Sequence, residues 1–353
     1  MNIKHHFPSI LAIALLVLTM ALPQTQAEEE KKPIQVLFTN VNIFDGFSET
    51  LQTSMSVLVE NNYIKEVAKT ITKPEGAYVV DGGGRTMTPG LIDMHQHVML
   101  NPPEGTASYQ TRWDDAAGGA FAQHHLVNNM LLKGITTIRD IAGDPLTVAK
   151  AIDMGYLPGP RIYSSGGAIS QVGGHGDWAG RNVPPELLTD KMDMTQRTQN
   201  SWSVTGPDEV TRAVRLNLRR GAAFTKVMGG GGVASEFDPL EIMGLAADEV
   251  ARAVEISADN GTYVATHAYH DASYNRLLDL GVRSFEHGFL ISEPTVKRMK
   301  KMQDEGKEIV WSFQCFMSIN SFGSYESMPE FFTHEQKVKG VAVGKGARQA
   351  AKM

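Results

Sequence analysis

Two histidines one residue apart, His95 and His97, close the mostly apolar run "TPGLIDMHQHV". An extended chain puts residues i and i+2 on one face, so both imidazoles aim the same way and Gln96 aims the other. Such a pair is either a metal site or a chance feature, and the rest of the chain must decide. Further along, apolar strand-like runs end in or carry Lys226 ("AAFTKVM"), His267 ("TYVATHA") and His287 ("RSFEHG"). His175 falls in the glycine-flanked loop "SQVGGHGD". A lone histidine in an apolar strand is most often a core residue with a satisfied hydrogen bond. A lysine midway along a buried strand is costly unless it is neutral, paired or bound. Five such residues at one end of one sheet are hard to dismiss together. Imidazoles suit zinc and similar ions. An ammonium does not, but CO2 adding to the neutral amine gives a carbamate with two oxygens that can bridge two cations. On that reading His95 and His97 hold one ion and His267 and His287 the other. Two-metal hydrolytic sites keep their ions roughly 3.5–4 Å apart and acidify a bridging water into the nucleophile.

These residues need a scaffold, and the pattern supplies one. The chain has 353 residues, 42% of them hydrophobic, enough for one large domain or one large and one small. Residues 34–87 read as short alternating strands punctuated by Asn-Asn, Pro-Glu-Gly and Gly-Gly-Gly. They predict a small N-terminal β-sandwich or meander over 28–88. From Pro89 the rhythm changes to apolar strands alternating with helical segments. Seven strands are predicted: 91–95, 134–141, 161–169, 222–228, 262–268, 283–288 and 308–314. Repeated βα units of this kind predict a (β/α)8 TIM-type barrel over 89–353 that lacks its eighth strand. The stretch 334–353 reads as the helix before that missing strand.

The first 27 residues read as a secretory signal. Lys4, His5 and His6 precede the apolar run Ile10 to Leu22, and Thr25-Gln26-Ala27 offers a cleavage site. That predicts a secreted or periplasmic mature chain without stable membrane insertion. Cys315 is the only cysteine, so no internal disulfide and no cysteine-based zinc site can form. A net charge of −6 with no basic stripe argues against a nucleic-acid partner. A homo-oligomer is compatible with the sequence.

"PGLIDMHQH", "TKVMGGGGV", "THAYHD" and "EHG", in that order, resemble the amidohydrolase superfamily. The likeness is greatest to its imidazolonepropionase-related branch, which includes metal-dependent Xaa-Pro dipeptidases (prolidases). The resemblance implies a barrel beside a composite β-sandwich, two divalent ions of zinc type, and hydrolysis of a C–N bond in a dipeptide-like substrate. Carried over by position, His95, His97, His267 and His287 become metal ligands and Lys226 the carboxylated bridge. His175 and Tyr269 stand where related peptidases contact substrate. The family also carries an aspartate at the end of strand eight that binds metal and shuttles a proton, and this sequence ends before that strand. Asp93 lies on strand one and turns partly away from the pair. Asp140 ends strand two as a partner to the ligands, and Asp271 falls in a loop. No catalytic residue of the expected kind is therefore assignable. The expectation is an N-terminal portion of a longer hydrolase. The alternatives are a non-catalytic metal- or ligand-binding remnant and a cyclic-amide (imidazolone-type) hydrolase.

Overall fold

The computed structural model describes residues 33–98, 116–179, 182, 200–314, 320 and 322–353. The predicted signal segment, Cys315 and much of the loop 177–206 lie outside the described residues. The chain divides into two units, Met1–Pro89 and Gly90–Met353.

The first unit is a five-stranded mixed sheet. Its strands are β1 (Gln35–Ile43), β2 (Gln52–Glu60), β3 (Tyr63–Ala68), β4 (Tyr78–Asp81) and β5 (Thr86–Met87). The order is β3-β2-β1-β4, with β5 also on β1. β1 to β3 form an antiparallel meander, while β4 and β5 run parallel to β1. Asn61 adopts a left-handed φ of 53° in the tight β2–β3 turn, a conformation asparagine tolerates better than most residues. Leu37, Leu58 and Ile71 form one small core, and Val41, Met55 and Val57 another.

The second unit alternates strands and helices. After β6 (Leu91–Gln96) come α1 (Ala116–Leu132), β7 (Ile135–Asp140), α2 (Leu146–Asp153), β8 (Arg161–Ser164), β9 (Ala168–Gln171) and β10 (Ser201–Val204). Then follow α3 (Pro207–Arg219), β11 (Thr225–Met228), α4 (Ala247–Asp259), β12 (Val264–His270), α5 (Asp271–Asp279), β13 (Ser284–Leu290), α6 (Glu293–Asp304), β14 (Val310–Ser312) and α7 (His334–Ala350). The strands form two all-parallel sheets, ordered β6-β7-β8 and β10-β9-β11-β12-β13-β14. The Ala223 amide donates to the Ser164 carbonyl at 2.8 Å and ties the end of β8 to the approach of β11. Parallel order follows from the helical crossovers, which return the chain to the same end of the sheet each time.

Alternation along the strands sorts the side chains. Thr225, Val227, Val264, Ala268 and Phe285 point to the helices, where Val227, Val264, Ala268 and Phe285 pack with Val210, Val250, Leu277 and Met299 in the largest core. Lys226, His267 and Glu286 take the opposite face. Gly90 is required by close approach: a Cβ there would lie 1.9 Å from Oγ1 of Thr136 on the neighbouring strand. Among the described residues, no helix is long and apolar enough to cross a membrane.

Several elements differ from the sequence expectation. The third predicted strand is two, β8 and β9, because the chain turns at Gly166 with φ 66°. α2 and β10 carried too little periodicity to be foreseen. Asp271 is not in a loop but opens α5, where its carboxylate accepts the Ser292 amide at 2.9 Å. The stretch expected as a helix before an eighth strand is α7. It packs on Tyr269, Phe289, Val233 and Leu240, beside the glycine-rich segment that follows β11. Its start is fixed by a capping box in which Thr333 Oγ1 accepts the Gln336 amide and Gln336 Oε1 accepts the Thr333 amide.

Candidate metal centre

β6 and the residue after it bring His95 and His97 together. Their Nε2 atoms are 3.2 Å apart and the rings meet edge-on. The chain is held there by its own polar groups. Asp93 Oδ1 accepts the His95 amide, and Asp140 Oδ2 accepts the Val98 amide at 2.7 Å. Asp140 is fully buried, and desolvation pushes its carboxyl up to about 8. Asp140 thus fastens the strand exit instead of facing the histidines' nitrogens.

His267 and His287 come from adjacent strands β12 and β13, with ring centroids 4.6 Å apart. His95 completes the group at 4.8 Å from His287. Ordinary alternation would turn either Glu286 or His287 away from the site. Both face it because His287 has a left-handed φ of 69° and the strand pairing with β12 slips there. That conformation is unusual for a bulky residue and is held from outside. Tyr274 Oη donates to the Glu286 carbonyl at 3.0 Å, and Trp311 Nε1 donates to the His287 carbonyl at 2.9 Å. Gly288 has φ 68°, and a Cβ on it would lie 2.5 Å from Tyr274 Oη.

Lys226 on β11 is 1% exposed. Burial drives its amine down to about 7, and Arg139 pushes the same way against Glu286. His95, His97, His175, His267 and His287 all feel its charge. His175 stacks on His267 with centroids 4.0 Å apart. Its Nδ1 is 2.6 Å from Ser235 Oγ and 3.8 Å from the buried Asp238 carboxylate. Lys339 of α7 donates to the Ser235 and Asp238 carbonyls, so α7 fastens the loop that steadies His175. Tyr269 lies in β12, 4% exposed, against the rings of His267 and His287. All seven residues singled out in the sequence therefore come together. Sequence reasoning missed Glu286, Arg139, Ser235 and Asp238. The one signal available was a glutamate inside the otherwise apolar run "RSFEHG".

The donor set can be tested against a divalent cation. Among the described residues, no three His, Cys, Asp or Glu side chains make a finished cage. The individual donors fit nonetheless. His95 Nδ1 faces the Glu286 carboxylate at 2.7 Å and His97 Nδ1 faces the Ala142 carbonyl at 3.3 Å. Both partners only accept, so both Nδ1 atoms carry the proton and both Nε2 atoms present lone pairs. The two Nε2 atoms approach to 3.2 Å, a separation that one shared cation would also give. Two nitrogens bound to one tetrahedral zinc stand about 3.3 Å apart. His267 Nε2 donates to the Gly231 carbonyl at 3.0 Å, which leaves its lone pair on Nδ1. His287 Nδ1 is buried without a hydrogen-bond partner. Desolvation, with the positive neighbours, keeps the imidazoles neutral, the form that ligates: His97 falls to about 4 and His175 to about 3, and the others fall too.

Parallel βα units with clustered imidazoles and a buried lysine at one end are those of an amidohydrolase-type hydrolase. The chain belongs to the amidohydrolase family, whose model matches residues 86–300. It is 32% identical over 230 residues to the ochratoxinase of Aspergillus niger, a match covering 61% of this chain and 46% of that protein. The chain thus spans about half the length of the curated relatives it matches. Among solved structures it is similar to a prolidase complexed with N-methylphosphonate-L-proline (28% identity, TM-score 0.77). It is also similar to a Xaa-Pro dipeptidase with methionine in its active site (26%, 0.75). Each match covers 90% of this chain and 75% of the other.

Proposed function

We propose that this amidohydrolase-family unit hydrolyses the amide bond of a small dipeptide-like substrate, of Xaa-Pro type, at a centre of two divalent ions, zinc in the first instance. The observation that carries the reading is the approach of His95 Nε2 to His97 Nε2 at 3.2 Å, beside His267 and His287, which burial keeps neutral. His95 and His97 would hold one ion, and His267 and His287 the other. Bound there, the ions would polarise the scissile carbonyl and acidify the attacking water.

The chain's own residues supply the rest. With its amine near 7, Lys226 is about half neutral at pH 7. The neutral amine adds CO2, its nitrogen forming the C–N bond and one proton leaving to solvent, to give an anionic carbamate with two oxygens. A carbamate removes the charge conflict between an ammonium and two cations. His175 and Tyr269 flank His267 and are the groups proposed to orient the substrate, His175 steadied by Ser235 and Tyr269 by its packing. Prolidase and Xaa-Pro dipeptidase structures among the similar folds support the substrate class. The two parallel sheets are read as consecutive staves of a TIM-type barrel, and the N-terminal sheet as part of a β-sandwich. The apolar N-terminal run supports secretion or a periplasmic location.

The test is metal analysis of the purified chain together with a panel of Xaa-Pro and Xaa-Ala dipeptides, with and without chelator. Bound divalent metal is expected, and whatever cleavage the chain performs is expected to be lost on chelation. A chain that takes up no divalent ion, or cleavage indifferent to chelation, would refute it.

A further inference from the structure

Beneath His95 lies a carboxylate with every oxygen engaged. Glu286 is 0% exposed on β13, 191 residues from His95 in sequence. Its Oε2 is 2.7 Å from His95 Nδ1 and accepts from Gln314 Nε2 at 3.3 Å. Its Oε1 lies 3.1 Å from Arg139 Nη2 and accepts from Ser284 Oγ at 3.2 Å. Arg139 is itself buried, held over the Phe224 ring at 4.9 Å and donating to Ser284 Oγ at 2.7 Å. One carboxylate therefore gathers groups from β6, β7, β13 and the segment just after β14. Burying a carboxylate is costly unless charge and hydrogen bonds compensate it. Arg139 compensates the charge. The expense makes sense only if the carboxylate does something an apolar side chain could not.

We propose that Glu286 is a positioning residue for the metal centre, fixing His95 as the Nδ1–H tautomer so that its Nε2 lone pair points at the ion shared with His97. The other contacts to the Glu286 oxygens come from donors, Arg139 Nη2, Ser284 Oγ and Gln314 Nε2, so the carboxylate acts as acceptor throughout and the hydrogen on the 2.7 Å contact belongs to His95. That leaves Nε2 as the only ligating atom and fixes the ring plane toward His97. The outer partner of a ligating histidine raises the ring's basicity and commonly changes metal affinity 10- to 100-fold. The bulge at His287 serves the same end. It lets one strand turn a ligand candidate and the carboxylate behind another ligand into one site through consecutive residues.

This inference rests on the metal-holding reading, and the experiment separates the two. The first readout needs no metal. Nitrogen-15 NMR of the histidines in the chelator-treated chain is expected to show His95 as the Nδ1–H tautomer in the wild type. Glu286→Gln, whose amide can offer either an oxygen or an NH2, is expected to shift it toward a mixture. The second readout is divalent-ion affinity by competition with a chromophoric chelator. Glu286→Gln is expected to lose 10- to 100-fold, whereas Ser284→Ala, whose hydroxyl meets Arg139 and the far oxygen Oε1 but not the Oε2 that faces His95, stays within about threefold. Wild-type His95 in the Nε2–H tautomer would overturn the proposal, even if Glu286→Gln fails to fold. A folded Glu286→Gln with unchanged tautomer and affinity would overturn it too. A wild-type chain that binds no ion defeats the metal reading, while the tautomer still decides the role of Glu286.

Discussion

Acid should unfold the metal-free chain well before it unfolds an ordinary domain of this size. Take the chelator-treated chain from pH 7 to pH 5. Burial holds His97 down at about 4 and His175 at about 3 in the folded state. In the unfolded chain each titrates near 6.5. Across this window the unfolded state binds protons that the native state refuses. Stability from these rings is therefore complete above about pH 6.5 and falls as the pH drops toward the folded values. Each ring alone removes about 2 kcal/mol between pH 7 and pH 5. Asp140 opposes them. Its carboxyl, raised to about 8, takes up a proton in the native state before the unfolded state does, a gain of about 2–3 kcal/mol over the same interval. Lys226, near 7 when folded, is nearly neutral in this balance below pH 7. His95, His267 and His287 are displaced in the same direction as His97 and add to the loss. The net effect is several kcal/mol against a total stability of about 5–15 kcal/mol. Urea unfolding followed by far-UV circular dichroism at pH 7, 6 and 5 measures it. The midpoint should fall steeply, and His267→Asn should flatten the slope. A midpoint that holds steady or rises toward pH 5 would refute the claim that these imidazoles are buried and neutral.

Replacing Lys226 by Met should stabilise the metal-free chain by about 1–4 kcal/mol at pH 7, because the costly buried amine is gone. The same change should reduce bound metal, and the wild type should carry the added mass of one CO2 on Lys226 in native mass spectrometry. A destabilised Lys226→Met chain with full metal content would contradict both halves. Gly232→Ala would put a Cβ 2.0 Å from the His175 ring; a loss of about 1–3 kcal/mol in denaturant is expected, with displaced His175 resonances. Phe285→Ala, emptying a fully buried site under α5, should cost about 3–5 kcal/mol by the same measurement. Tyr274→Phe removes the hydroxyl that holds the Glu286 carbonyl beside the left-handed His287. It should weaken metal binding severalfold in chelator competition, and an unchanged affinity would show that the bulge stands without it.

The sequence alone determined which residues could be chemical and which face they would take. His95-x-His97, the apolar strand around Lys226 and the two strands ending in histidine are local patterns. Period-two alternation carries Lys226 and His267 to one face and Val227 and Ala268 to the other, as observed. Helix α3, with Pro207 at its start and Asp208 and Glu209 in its first turn, was likewise written locally. The tertiary structure alone decided the rest. Nothing near His95 signals that a glutamate 191 residues away supplies its proton acceptor. Nor does alternation allow Glu286 and His287 to face the same site, which takes a left-handed residue locked by Tyr274 and Trp311. α7 has the composition of an ordinary surface helix, yet its glycines and Lys339 fasten it over the loop bearing Ser235 and Asp238. Side-chain direction within one strand follows from stereochemistry a few bonds long. Which strand lies across from which depends on sheet curvature and loop closure, and these belong to the whole chain.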